Sequence, residues 1–368
     1  MTHHLVVLGA GYAGLIAAKG AARRLRRHGG VRITLVNASD RFVERVRLHQ
    51  LAAGRQLRDL PLRTLLAGTG IQLTVARVTA VDAAARTVRI DAAPHVLTYD
   101  TLVYALGSTA DTTAVPGAAT YASAVATHQD AVLLHARTQH TRGPLAVVGG
   151  GLTGIEAAAE LAEARPGRTV HLVTQGEAGP GLSERGRRYL RGALRRHGVT
   201  LHEHTHVGEV TADGLVLADG GGIPADAVVW AAGFRVPELA RESGLAVDGR
   251  GLVTVGPDLR SLSHPEVFAA GDAVAAYGPD GSASRMSCQT GLPMGSRVAR
   301  NVAAALTGRT PGPLRLHYVW QNISLGRHDG LTQFTRADDS PLPALLTGRA
   351  SARFKEAVTR GTVVALRR

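Results

Sequence analysis

Cysteine is almost missing from this chain, with Cys288 standing alone among 368 residues. One thiol excludes an internal disulfide and any Cys-x-x-Cys redox pair, so a cytosolic protein working without a dithiol is expected. Lysine is nearly as scarce, since of 42 basic residues all but Lys19 and Lys355 are arginine. The longest apolar runs fall well short of the ~20 residues that a membrane span needs. A strand pattern begins by Leu5, which leaves no space for a cleavable leader. What is plentiful is small or apolar: 44 glycines, and a hydrophobic share of 45% that can fill the cores of two or three domains.

The glycines carry a pattern. Gly-x-Gly-x-x-Gly occurs twice, at Gly9, Gly11 and Gly14 and again at Gly149, Gly151 and Gly154. Each copy follows a short apolar strand, His4 to Leu8 and Leu145 to Val148. Each precedes a helical stretch, Leu15 to His28 with Gly29-Gly30 as its stop, and Ile155 to Ala164 before Pro166-Gly167. In such a turn the first glycine permits the bend, the second lets backbone N–H groups reach a pyrophosphate, and the third lets helix and strand pack closely. Two copies in strand-turn-helix context point to two dinucleotide sites, a flavin and a nicotinamide held face to face.

A second repeat supports the first. Asp100-Thr101-Leu102-Val103-Tyr104-Ala105-Leu106-Gly107 and Asp226-Ala227-Val228-Val229-Trp230-Ala231-Ala232-Gly233 share an Asp, a buried strand, an aromatic at one place and a closing Ala-x-Gly. Small residues there let the chain cross the mouth of a cofactor crevice unobstructed. A third strand pattern, Val267-Phe268-Ala269-Ala270, runs into Gly271-Asp272-Ala273 and later into a helical stretch, Ser296 to Leu306. Asp272 has two compatible readings, as a helix N-cap and as an acceptor for a polyol hydroxyl.

These segments, with Val148-Gly149-Gly150-Gly151-Leu152-Thr153-Gly154-Ile155-Glu156, Ala270-Gly271-Asp272-Ala273 and Ser324-Leu325-Gly326-Arg327-His328-Asp329-Gly330, cover nearly the whole chain. The chain resembles the pyridine nucleotide-disulfide oxidoreductase superfamily, without its redox dithiol. Within it, the resemblance is to the group of type II NADH dehydrogenases and apoptosis-inducing-factor-like, ferroptosis-suppressor-like proteins, to which the last segment points. The resemblance implies FAD at the first turn, with Gly9, Gly11, Tyr12, Ala13, Gly14, Asn37, Arg41, Val78, Ala105, Gly107, Gly271 and Asp272. It implies NADH or NADPH at the second, with Gly149, Gly151, Thr153, Gly154 and Gly233. Glu156 and Gln289 are the implied catalytic residues, beside the flavin. His49, on the segment that follows the first ribose strand and runs toward the flavin ring, reads as a proton donor there or as a structural histidine. The work of the protein would be positioning and electrostatics, the redox chemistry being the cofactors' own.

Several positions depart from the pattern. The ribose acid expected about 20 residues beyond each turn is Asn37 in the first half, where an amide oxygen still accepts a hydroxyl and Arg41 covers the adenine or phosphate side. In the second half the strand ends in Thr174-Gln175, the nearest carboxylate is Glu177, and no arginine directly follows, so NADH and NADPH both stay open. Thr153-x-x-Glu156 also matches a capping box. Gln289 matches the first glutamine of the segment that type II dehydrogenases place beside the flavin, but Pro293-Met294 replaces the second. His202, His204 and His206 alternate as on one strand face, a weak metal pattern, and no metal site is expected.

The expected architecture is α/β: two Rossmann-like domains and a short C-terminal α+β cap. Residues 1–112 and 235–310 would form the FAD domain, 113–234 an inserted NAD(P)H domain, and 311–368 the cap. The leading function is an FAD-dependent NAD(P)H oxidoreductase that passes electrons to a quinone or other small conjugated acceptor. Two alternatives stand beside it: a flavin-dependent oxidase of a specialised metabolite with a weakened nicotinamide site, and a redox-sensing flavoprotein that binds nucleic acid or a protein partner. The net charge of +13 fits solvated arginine-rich helix faces, anionic cofactors, an anionic membrane or nucleic acid, and does not choose among them. No specific nucleic acid is expected. The basic stretch from Ala344 to Arg360 would either make peripheral contact with the inner face of a membrane or pack on the protein's own core or a dimer partner, and the protein would be a monomer or homodimer.

Overall fold

The computed structural model describes residues 2–277, 281 and 283–367. Two five-stranded parallel sheets dominate. The first orders its strands Val267–Ala269, Thr101–Tyr104, His3–Leu8, Val31–Asn37 and Gln72–Val75. The second orders Val199–His202, Val170–Val173, Leu145–Val148, Ala227–Trp230 and Ala122–Ala124. Their central strands are apolar without alternation because both faces are covered: Leu5 to Leu8 are fully buried, as are Leu145 to Val147.

The repeats seen in the sequence pair in the same register. Leu8 lies beside Tyr104 and Val36, and Val148 beside Trp230 and Val173. Each half also inserts a three-stranded antiparallel sheet before its closing Ala-x-Gly strand, Val78 to Thr98 in one and Val207 to Pro224 in the other.

Helices Tyr12–Leu25 and Leu152–Ala164 start directly at the turns, three residues earlier than apolar periodicity alone places them, and the first stops at Leu25 rather than His28. The reason is backbone geometry: the middle glycine of each motif is the N-cap, so the third already lies inside the helix. Helix Cys288–Leu306 is also longer than its apolar stripe from Ser296, and carries Pro293 within it. It packs on the first dinucleotide helix at close range, since a Cβ on Gly20 would come within 2.7 Å of the Ala299 Cβ.

A third region closes the molecule. Strands Trp320–Ser324, Gly330–Thr335 and Pro341–Thr347 form an antiparallel sheet, and helix Gly348–Arg367 packs across it. The basic C-terminal stretch is therefore strand up to Thr347 and helix beyond, with Gly361 inside the helix. Among the described residues no helix is long and apolar enough to cross a membrane.

Candidate functional site

The two glycine turns are the same device built twice. A Cβ on Gly9 would lie 2.3 Å from the Ala105 carbonyl oxygen, and one on Gly149 would lie 2.6 Å from that of Ala231. A Cβ on Gly14 or Gly154 would lie 2.0 Å from the carbonyl oxygen of Gly9 or Gly149 respectively. Each Ala-x-Gly segment thus presses its main chain onto the first glycine of its own turn, which is why both repeats occur together. Gly107 and Gly233, at φ +69° and +86°, turn the chain away just beyond.

The middle glycines differ in kind from their neighbours. A Cβ on Gly11 or Gly151 would meet nothing within 4 Å. No side chain caps either helix, so first-turn N–H groups face that open space, where a pyrophosphate would satisfy them. The residues present therefore fit a dinucleotide at each turn.

Around the first turn, Asn37 Oδ1 accepts a hydrogen bond from Ala10 N at 2.9 Å, and its amide nitrogen donates to Ser39 O at 2.8 Å. Tyr12 stacks edge-on against Phe42 with ring centroids 5.0 Å apart, while a Cβ on Gly271 would lie 3.1 Å from the Ala13 Cβ. Val78 is buried at the start of its strand, close to Ala76, whose N–H donates to Asn37 O at 2.9 Å. Arg41 pairs with Asp59 and lies 3.6 Å from Asp40, so its charge already has partners.

Asp272 is not a helix N-cap. That position belongs to Ser287, whose hydroxyl accepts from Thr290 N, because the helix begins at Cys288 and Asp272 lies in the preceding turn. The Asp272 carboxylate accepts from Ser108 Oγ at 2.7 Å and lies 3.3 Å from the Arg45 guanidinium, which stands 5.9 Å over the Phe234 ring. Gly107, Ser108, Arg45 and Asp272 thus meet at the mouth of the first sheet. Arg45 and Ser108 escaped the sequence reading because they lie far from Asp272 along the chain.

The capping box at Thr153 and Glu156 does not form either. With Gly151 as N-cap, Glu156 is an interior helix residue, and its Oε1 accepts from Ser324 N at 2.8 Å and from Lys355 Nζ. Glu160 and Glu163 follow on the same face, one and two turns on. Glu160 pairs with Arg327 at 3.0 Å and Glu163 accepts from Arg327 N at 2.7 Å. The acidic face of the second dinucleotide helix therefore grips Ser324 to Arg327. Burial pushes the Glu160 carboxyl up from its usual range, with Arg327 opposing.

His49, on the short helix Leu48–Ala52, is brought to the same place. It is 3% exposed, its Nδ1 lies 3.6 Å from Glu156 Oε2, and its Nε2 is buried without a partner among the described residues. Burial, then Lys355, Arg327 and Arg47, hold His49 well below the ordinary histidine value, so it is neutral at pH 7. Burial and then Arg47 push the Lys355 ammonium down to about 7, with Glu356 pulling upward. The sequence offered one signal for Lys355, its rarity in an arginine-rich chain.

Gln289 stands apart from that group. It sits in the first turn of helix Cys288–Leu306 and accepts from Arg285 at 2.9 Å. Pro293, four residues on, has no N–H to give the Gln289 carbonyl. Met294 is fully buried with its Sδ 3.4 Å from Gly271 N, and a Cβ on Gly295 would lie 2.2 Å from Ala13 O. This segment is shaped to press against the first turn.

On the nucleotide side, a Cβ on Gly150 would lie 2.3 Å from Thr174 Oγ1, and Glu177 is engaged by Arg187 and Arg191. The histidines 202, 204 and 206 do not share a strand face, because the strand ends at His202 and His204 turns to φ +52°. His202 instead meets His171 at 3.0 Å. No group of metal-ligating side chains occurs among the described residues.

Comparison with known proteins decides the lineage. The family model described as pyridine nucleotide-disulphide oxidoreductase matches residues 3–301. The chain belongs to that family. Among its relatives, an NADH dehydrogenase-like protein of Mycobacterium tuberculosis is 34% identical over 348 residues, covering 88% of this chain and 85% of that protein. A type II NADH:quinone oxidoreductase of Staphylococcus haemolyticus is 27% identical over 387 residues, covering 96% and 93%. In fold, the chain is similar to the NDH2 of Plasmodium falciparum solved with NADH, at a TM-score of 0.85 and 13% identity over 100% of this chain and 97% of that one.

Proposed function

We propose that this protein is an FAD-dependent NAD(P)H:quinone oxidoreductase. The observation that carries the reading is the duplicated turn: two close-packed glycine cradles, each open where a pyrophosphate would lie, in a chain whose single cysteine provides no dithiol relay. The names of its relatives, NADH dehydrogenase-like and NADH:quinone oxidoreductase, agree with it. Residues 1–112 and 235–310 would hold FAD and residues 113–234 the nucleotide, with 311–368 closing the acceptor side.

Bound FAD supplies the capacity to take two electrons from a nicotinamide and give them to a quinone. The protein's own groups bind, orient and manage protons. The uncapped first turns that begin at Gly11 and Gly151 would present backbone N–H groups to the two pyrophosphates, while Gly9 and Gly149, whose own N–H groups bond Val36 O and Val173 O, and Gly14 and Gly154 give the close packing that shapes each turn. Asp272, oriented by Ser108 and charge-balanced by Arg45, would accept from a ribityl hydroxyl of bound FAD. Glu156 and Lys355 form a buried proton-holding pair beneath the cap, and Lys355 Nζ, down at about 7, exchanges its proton near neutral pH. Neutral His49 offers Nε2 to a bound group. The overall change balances: nicotinamide gives up a hydride, and the quinone gains two electrons and two protons, one proton coming from the medium.

Anaerobic stopped-flow mixing of the yellow holoprotein with NADH, then NADPH, then a quinone tests the reading. Bleaching by at least one nucleotide and recovery of colour with quinone are expected. A flavin that neither nucleotide bleaches refutes it.

A further inference from the structure

Beside the Glu156–Lys355 pair lies a cavity of about 630 Å³ between the C-terminal helix, the segment Ser324 to His328 and the chain from Val46 to Gln50. Its wall is strongly cationic: Arg47, Arg327, Arg349, Arg353, Lys355 and Arg360 all line it, against one lining carboxylate, Glu356. Most of these charges have partners. Arg47 binds Glu44 and Glu356, Arg360 binds Glu356, Arg327 binds Glu160, and Lys355 binds Glu156. Arg349 and Arg353 make no ion pair among the described residues, and both are exposed. They stand one turn apart on the helix face that carries Ala352 and Glu356 into the cavity. Ala352 keeps the wall between them low.

We propose that this cavity receives an anionic acceptor, a quinone whose ring lies toward Lys355 and Ser324 and whose carboxylate or similar oxyanion is held by Arg349 and Arg353. The inference rests on the quinone reading above and narrows its substrate class. Two unpaired guanidiniums at a cavity mouth recognise an oxyanion by charge-assisted, bidentate hydrogen bonds. Nothing in a neutral isoprenoid quinone would use them. The chemistry is unchanged by the added group: the quinone ring takes two electrons from NAD(P)H and two protons, and the oxyanion takes no part.

The test compares a 2-methyl-1,4-naphthoquinone bearing a short carboxyalkyl chain with its methyl ester, which differ in charge at one ring potential. For the holoprotein at low salt, kcat/KM for the acid should exceed that for the ester by about tenfold, mainly through KM. In the double variant Arg349→Gln/Arg353→Gln the ratio should fall to near one, and 0.5 M salt should shrink it in the parent. Replacing Arg26 and Arg27 with Gln, both exposed just past the end of the first dinucleotide helix, should leave the ratio intact. Equal kcat/KM for acid and ester in the parent overturns the inference while the quinone reading stands. If neither quinone is reduced, the quinone reading fails, and calorimetric Kd values for the two compounds still decide whether the cavity selects the anion. Flotation with phosphatidylglycerol and phosphatidylcholine vesicles separates the other source of oxyanions. A double variant that loses phosphatidylglycerol binding but keeps the acid-to-ester ratio assigns the arginines to lipid headgroups and refutes the acceptor assignment.

Discussion

In the first glycine-rich half, Asn37 at the strand end reaches back to Ala10 N; in the second, Thr174 at the matching position crowds Gly150 so closely that only glycine fits there. The backbone contacts of the two turns agree within a few tenths of an ångström, while the side chains at the ribose ends share nothing. The pyrophosphate end of such a site depends on main chain and glycine, so duplication preserves it. The ribose end depends on individual side chains, which are free to diverge. The helices diverge likewise: one is pressed by Gly291 and Gly295 of a neighbouring helix, the other extends Glu156, Glu160 and Glu163 to the cap.

The largest effect should come from filling each turn. Gly14→Ala would overlap the Gly9 carbonyl and Gly154→Ala the Gly149 carbonyl, and overpacking of this kind costs about 1–3 kcal/mol or more. If the halves have the assigned cofactors, Gly14→Ala purifies without flavin, whereas Gly154→Ala stays yellow and loses reduction by nucleotide. Loss of flavin from both, measured by absorbance at fixed protein concentration, would break the distinction.

Next in size is the nucleotide choice. Gln175→Glu places an acid directly after Thr174, just past the end of the second ribose strand, and should raise the kcat/KM ratio of NADH over NADPH by about tenfold. An unchanged ratio would mean that the ribose lies elsewhere.

The Glu156 cluster makes a pH prediction. His49 is held below its unfolded value, so below pH 6.5 the unfolded chain takes up a proton that the folded one refuses. Stability from this residue is complete above pH 6.5 and falls with acidification, by up to about 1.4 kcal/mol per pH unit. Urea midpoints of the holoprotein between pH 7 and 5 should therefore fall less steeply in His49→Gln. Parallel curves would show His49 protonated in the folded state.

The smallest change tests the ribose end of the first half. Asn37→Ala removes two backbone-directed hydrogen bonds, each worth about 1 kcal/mol, and should weaken FAD binding severalfold without abolishing it. A flavin titration of the apoprotein that matches the parent would make Asn37 dispensable.

Misreadings of the sequence had a common origin. Asp272 before a helix and Thr153-x-x-Glu156 at a helix start are both local cap patterns, and both caps fail to form because the true N-caps are Ser287 and Gly151. Local pattern cannot tell where a helix begins when its N-cap is a glycine with nothing but open space beyond it. It also gives no hint that Glu156 would meet Lys355, 199 positions away.

What the sequence by itself determined is everything that rests on main chain at short range: two strand-turn-helix units, the glycines each requires, their paired Ala-x-Gly strands and the absence of a dithiol. Sterics fix these, because a Cβ at Gly9, Gly14, Gly149 or Gly154 would strike a carbonyl oxygen. Only the tertiary structure decided which charges meet. The buried Glu156–Lys355 pair, Asp272 with Arg45 and Ser108, and the cavity beside Arg349 and Arg353, which make no ion pair among the described residues, arise from folding distant segments together. Electrostatics acts across space, and the order of residues along the chain does not record those distances.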